Sequence, residues 1–249
     1  MTDGTYFYKQ RERAWKIYPY PCIGRFRFLE FALSRSTRYR DILDRLKSGQ
    51  KLLDLGCCFG QDIRKLVQDG APAGNLLGAD LRKDFMELGY DLFLDRSTLS
   101  TTFFVADVFD MSTLNGVAGR IDIVHIGSFL HLFSWEKQRE AAAHISKLLR
   151  RSVGSLIVGN QTGSMQPGEY PLKVDSDETM YRHNASSFEK LWNEVGFEFG
   201  FEWKIIFDFP PEGTSLASTR ASEDYQDTST GKRFTFSIEL ASFGDGKSA

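Results

Sequence analysis

Between Lys51 and Gly159 the chain alternates short apolar runs with segments of helical period, and this alternation restricts the possible folds more than any other feature. The runs are Lys51–Leu55, Leu76–Ala79, Thr102–Ala106, Ile121–Ile126 and Ser155–Gly159, each four to six residues long. That is the length of a buried strand, too short for a helix. Between them, Gln61–Asp69 carries Ile63, Leu66 and Val67 on one face and stops at Gly70. Lys83–Phe93 carries Phe85, Leu88 and Leu92. Glu136–Arg150 carries Ala141, Ala142, Ile145, Leu148 and Leu149, with basic residues in its last turn where the helix dipole favours them. Strands and helices in alternation imply right-handed βαβ units and a mainly parallel sheet.

The two ends of the chain follow other patterns. Ser186-x-x-Glu189 reads as a capping box opening a helix with Phe188, Leu191, Trp192 and Val195, closed by Gly196. Two aromatic strands follow, about Phe197–Phe209 and Arg233–Phe243, with the polar segment Pro210 to Lys232 as a surface loop between them. An antiparallel pair thus completes the sheet. At the other end, Met1 to Arg38 is rich in aromatic and Arg residues around the turn Tyr18-Pro19-Tyr20-Pro21. A helix over Tyr39–Lys47, with Ile42, Leu43 and Leu46 on one face, leads into the first strand.

Charge and composition narrow the function. Lys and Arg number 31 against 33 for Asp and Glu, a net of −2, which does not suit a nucleic-acid binder. No apolar run approaches the roughly 18 residues of a membrane span. Met1 to Arg13 has no apolar core of a secretory signal. Of the three cysteines two are adjacent, Cys57 and Cys58, so they read as small buried hydrophobes rather than as a disulfide framework, a redox pair or a metal site. A soluble cytoplasmic protein is expected.

The chemistry gathers at Leu53-Asp54-Leu55-Gly56-Cys57-Cys58-Phe59-Gly60, which runs from a strand into a helix. Glycines at 56 and 60 permit a tight turn and close approach of a ligand, and the helix presents unpaired N–H groups there. A dinucleotide fingerprint would require G-x-G-x-x-G, but Cys58 stands at the second glycine, which disfavours an NAD-dependent dehydrogenase. Asp80, followed by Leu81, ends the second strand 20 positions after Gly60, the spacing of a carboxylate that chelates ribose hydroxyls. Asp107, before Val108, ends the third, where it can accept from an adenine amino group.

Together these residues resemble the class I S-adenosylmethionine (SAM)-dependent methyltransferases over about Lys51 to Phe243. The resemblance implies an α/β Rossmann-like fold with a mainly parallel seven-stranded sheet and a C-terminal antiparallel hairpin. It places Asp54, Gly56, Cys57, Cys58 and Gly60 near the amino-acid part of SAM, Asp80 and Leu81 at the ribose, and Asp107 with Val108 at the adenine. S-adenosylhomocysteine is the implied product.

A narrower similarity rests on Trp15-x3-Pro19-Tyr20-Pro21-Cys22-Ile23-Gly24-Arg25-Phe26-Arg27-Phe28-Leu29, Asp69-Gly70-Ala71-Pro72, Ala106-Asp107-Val108-Phe109-Asp110, Phe129-Leu130-His131-Leu132-Phe133-x-Trp135 and Tyr181-Arg182-His183. It is to the fungal methyltransferases of meroterpenoid pathways, several of which methylate the carboxyl of a farnesylated aromatic acid. It implies a small hydrophobic substrate; the family's members also suggest a homodimer, though no interface is legible here.

A carboxylate acceptor, of pKa about 4, needs no base but does need a cation to place it. Arg182 and His183 are candidates, with Arg25 and Arg27 on the N-terminal segment. A phenol acceptor, of pKa about 10, would want a base, and His131 is the candidate. His125 reads as a core or cleft-wall residue and His144 as an exposed helix residue. Trp15, Tyr20 and Phe129 are candidate substrate contacts, residues 1–48 a helical, aromatic lid, and 49–249 the SAM-binding domain, all within one structural domain. No metal site is expected. The competing readings are a phenol or alcohol O-methyltransferase and a non-catalytic SAM-binding interaction domain.

Overall fold

The structure, a computed structural model, describes residues 4–172, 177–208 and 231–244. In chain order the elements are α1 (Gly4–Ile17), α2 (Pro21–Gly24), α3 (Tyr39–Lys47), β1 (Leu52–Leu55), α4 (Gln61–Gln68), β2 (Leu76–Asp80), α5 (Lys83–Phe93), β3 (Thr102–Val105), β4 (Ile123–Gly127), α6 (Trp135–Leu148), β5 (Leu156–Ser164), β6 (Gly168–Pro171), β7 (Thr179–Arg182), α7 (Ala185–Phe199), β8 (Phe201–Asp208) and β9 (Gly231–Phe243).

All four residues of β1 are buried, as a strand covered on both faces must be. It lies inside a seven-stranded sheet of order β3-β2-β1-β4-β5-β9-β8. The first five strands pair in parallel, and β9 enters antiparallel between β5 and β8. This is the class I methyltransferase arrangement anticipated above. One face packs Leu52, Ile123, Leu156 and Val158 against Ile42 and Leu46 of α3 and Ile63 and Leu66 of α4. The other packs Leu53, Val124, Ile126 and Ile157 against Ala141 and Ile145 of α6 and Leu191 and Trp192 of α7. A third cluster joins Ala14, Ile23 and Phe28 of the N-terminal segment to Phe59 of the glycine loop and Phe85 and Leu88 of α5. Among the described residues no helix is long and apolar enough to cross a membrane.

Several local expectations are corrected. The capping box of α7 is formed by Asn184 and Ser187, not Ser186 and Glu189: Asn184 Oδ1 accepts Ser187 N–H at 2.9 Å, and Ser187 Oγ accepts Asn184 N–H at 3.1 Å. The helix does not close at Gly196 but continues to Phe199 and ends on Gly200 at φ 65. Gly196 serves packing instead, since a Cβ there would sit 2.7 Å from the Phe201 carbonyl oxygen and 2.8 Å from Trp203. β5 extends to Ser164 because nine of its residues pair with β9. Within the N-terminal segment expected to be helical, α1 buries only Gln10 and Ala14; the β6–β7 hairpin was not anticipated. The surface loop expected over Pro210 to Lys232 falls mostly outside the described residues.

Candidate active site

The chain leaves β1 through Gly56 at φ 76 and enters α4 through Gly60 at φ 65. A Cβ on Gly56 would lie 2.7 Å from Phe129 Cδ2, and one on Gly60 2.6 Å from Phe103 Cε1. Cys58 between them also adopts a positive φ, 52°, at a cost of about 1 kcal/mol for an L-residue. Its N–H donates to Asp80 Oδ2 at 2.8 Å, which holds the turn in place. Burial raises the thiols of Cys57 and Cys58 well above the ordinary range, so both remain protonated.

Asp80 Oδ1 accepts Arg82 N–H at 2.9 Å. A carboxylate has about four acceptor positions, so two remain for a pair of ribose hydroxyls. Beside it Leu81 is 57% exposed, an apolar side chain free to cover a ligand. Asp107 Oδ1 accepts Phe109 N–H at 2.9 Å, and Val108 is held by His144 Nδ1 on its carbonyl oxygen at 2.8 Å. His144 is therefore not an exposed helix residue; it ties α6 to the loop after β3. At the start of α4, Gln61 Oε1 is buried without a partner among the described residues, an acceptor suited to an ammonium group. These groups fit SAM. Asp54 is buried within β1, its Oδ1 2.8 Å from His125 Nδ1. Asp80→Ala removes both the clamp on Cys58 and the ribose acceptor. Calorimetry should show SAM binding weakened by about 1–3 kcal/mol, roughly 5- to 150-fold.

At the acceptor end, Phe129 and Phe133 meet edge-on at 5.4 Å, and Phe133 and Phe109 at 5.0 Å. His131 is half-buried, with Nδ1 itself buried and unpartnered among the described residues. Burial, then the charges of Arg233, Arg182 and Arg27, lowers its pKa to about 3. Arg182 Nε and Nη1 are likewise buried without partners among the described residues, and its guanidinium lies 4.8 Å over the Tyr170 ring. Tyr20 lies beside Arg82 and Asp80, and burial raises its phenol pKa. Trp15 packs on α2, where a Cβ on Gly24 would stand 3.0 Å from its ring, and it is 43% exposed. Arg233, read from the sequence only as the first residue of a strand, also acts on His131.

His183 is a correction. It is fully buried, with Nδ1 3.0 Å from Ser187 Oγ and Nε2 3.1 Å from Gln138 Oε1. Gln138 spends its amide N–H groups on the Phe133 and Tyr181 carbonyls, so Nε2 donates and Nδ1 accepts. Both nitrogens are engaged, and the ring joins α6 to α7 rather than serving catalysis. Burial lowers its pKa to about 3. The unfolded chain binds a proton near pH 6.5 that the native state refuses, so the stability this residue supplies is present above about pH 6.5 and lost as pH falls toward 3. The melting-temperature gap between wild type and His183→Asn should narrow from about pH 7 to about pH 4; a constant gap would contradict this assignment.

A profile described as the meroterpenoid methyltransferase N-terminal domain matches residues 6–29, and a methyltransferase domain profile matches residues 52–152. The chain is 46% identical over 245 residues to the O-methyltransferase phiE of Fungal sp. (strain ATCC 74256), covering 93% of this chain and 80% of that one. It is 45% identical over 198 residues to the O-methyltransferase atr3 of Stereocaulon alpinum, covering 78% of this chain but spanning only 57% of that relative. It is 39% identical over 199 residues to the Asnovolin E/Chermesin D methyltransferase nvfJ of Aspergillus novofumigatus, covering 79% and 71%. Among solved structures, Burkholderia thailandensis 1,6-didemethyltoxoflavin-N1-methyltransferase shares the fold with TM-score 0.59 at 14% identity, over 97% of this chain and 92% of that one.

Proposed function

Because the chain belongs to the fungal O-methyltransferases of secondary metabolism, we propose that it methylates the carboxyl group of a hydrophobic, prenylated polyketide acid, giving the methyl ester and S-adenosylhomocysteine. SAM, when bound, supplies a methyl group on a sulfonium, open to in-line displacement. The residues that would hold it are Gly56, Cys58 and Gly60 by their backbone, with Asp80, Leu81, Asp107 and Val108 along the strand ends.

One observation carries the choice of a carboxyl group. His131, with its pKa lowered to about 3 among three arginines, is too weak a base to take a proton from a phenol of pKa about 10. A carboxylic acid arrives already ionised and is drawn to the same cations. The protein then has only to align the oxygen with the methyl carbon. Phe109, Phe129 and Phe133 offer an apolar wall to the prenyl chain. The N-terminal segment, through Tyr20, Phe26 and Phe28, covers the glycine loop and keeps water out. A neutral ester no longer pairs with guanidinium groups, which favours release.

The test is incubation with SAM and a farnesylated orsellinic acid, followed by mass spectrometry and alkaline hydrolysis. The expected product gains one methyl group and reverts to the acid on hydrolysis. A methyl group that survives hydrolysis would be an ether and would favour the phenol reading. Tight SAM binding with no transfer to either group would return the non-catalytic reading.

A further inference from the structure

We infer that Arg233 is the residue that receives the acceptor's carboxylate, with Arg27 beside it, and that Ser128 and Asn160 fix its guanidinium for that task. The inference rests on the reading of the acceptor as an acid. Arg233 stands near the start of β9, opposite Thr162 of β5. This is the sheet edge at which β1, β4 and β5 end, and so the edge that bears the glycine loop. Its side chain is 20% exposed, and Nε is buried without a partner among the described residues.

The hold on this arginine is built into the turn after β4. Arg233 Nη2 donates to Ser128 Oγ at 2.7 Å. The Ser128 hydroxyl in turn donates to Asn160 Oδ1 at 3.0 Å, and Ser128 N–H donates to the Asn160 backbone carbonyl at 2.8 Å. Ser128 does this from a left-handed backbone, φ 54, which a serine adopts only under constraint. The next residue, Phe129, is the one whose ring covers Gly56. A single strained turn therefore sets the arginine and the wall of the donor loop side by side.

Charge around Arg233 is out of balance. Arg27 and Arg35 both bear on it, against Glu30, whose Oε2 is 3.5 Å from Nη1. Among the described residues the Arg27 side chain forms no hydrogen bond or ion pair, and Arg182 leaves two nitrogens buried and unpaired. A surplus of half-buried positive charge with orphaned N–H groups calls for an anion with several acceptor lone pairs. A carboxylate meets the planar fork of a guanidinium with two parallel bonds, which a phenolate cannot do.

The experiment compares wild type, Arg233→Gln, Arg233→Lys and Ser128→Gly, using SAM with farnesylated orsellinic acid as substrate and its primary amide as a neutral inhibitor. In Arg233→Gln the KM for the acid should rise at least 30-fold and the preference for acid over amide should collapse, while calorimetric SAM binding stays within about twofold of wild type, because Arg233 touches the acceptor and not the donor. An acid KM within twofold of wild type would overturn the inference. Should SAM binding also be lost, Arg233→Lys decides: with SAM binding intact, a preference reduced at least tenfold supports the fork, and an undiminished preference overturns it. Ser128→Gly relieves the strained backbone and removes the hydroxyl. It should melt no lower than wild type yet raise the acid KM about fivefold, which a merely structural serine would not do. If wild type binds SAM but calorimetry detects no binding of the acid, the reading of the acceptor itself fails.

Discussion

Replacing Gly56 by valine is expected to weaken SAM binding by about 100-fold, or roughly 2.7 kcal/mol. Two penalties act at one position. The backbone stands at φ 76, where a β-branched residue is strained, and the new Cβ would lie 2.7 Å from Phe129 Cδ2, with Cε2 at 3.2 Å. Either the loop opens, losing the Cys58 N–H to Asp80 contact, or Phe129 swings into the space needed by the donor. Since Gly56 lies at the end of β1 and not within it, circular dichroism should remain native. A dissociation constant within threefold of wild type, on a folded variant, would mean that this loop is not the donor's cradle.

The largest stability effect is expected at Phe188, which is fully buried on α7. Its ring centroid lies 4.7 Å from Phe236, 5.5 Å from Phe234, 5.5 Å from His183 and 5.8 Å from Phe207. It is the point at which α7 meets both strands of the C-terminal hairpin. Phe188→Ala should cost about 3–5 kcal/mol through lost burial and a residual cavity, lowering the melting temperature by roughly 10 °C. Phe188→Leu, which fills most of that volume, should recover the greater part. Equal losses in the two variants would mean that the aromatic contacts, rather than the cavity, dominate.

Most of the parallel half of the fold was legible because strands buried on both faces are largely apolar, although β3, at the edge of the sheet, is partly exposed. The runs at Leu52–Leu55 and Leu76–Asp80 are visible without knowledge of their neighbours. The glycine loop and Asp80 were legible for a related reason: backbone geometry and spacing along the chain define them. His183 and Arg233 were not. What makes His183 structural is Gln138, 45 residues away, and what makes Arg233 interesting is Ser128, 105 residues away. No local pattern distinguishes either from an ordinary polar residue. The ends of α7 were misread because Asn184 caps as well as Ser186 could, and because a glycine can serve close packing, as Gly196 does, as readily as termination.

The position of β9 bears on how the protein is made. Nine residues of β5 find their partner in a strand that ends at Phe243, some eighty residues farther along the chain. On the ribosome, at about 5–20 residues per second, the open edge of β5 waits on the order of ten seconds before β9 emerges. Until then β8 has no neighbour either, since it pairs with the sheet only through β9. A truncated or stalled product would thus carry two exposed edges, the condition under which strands find partners on other chains.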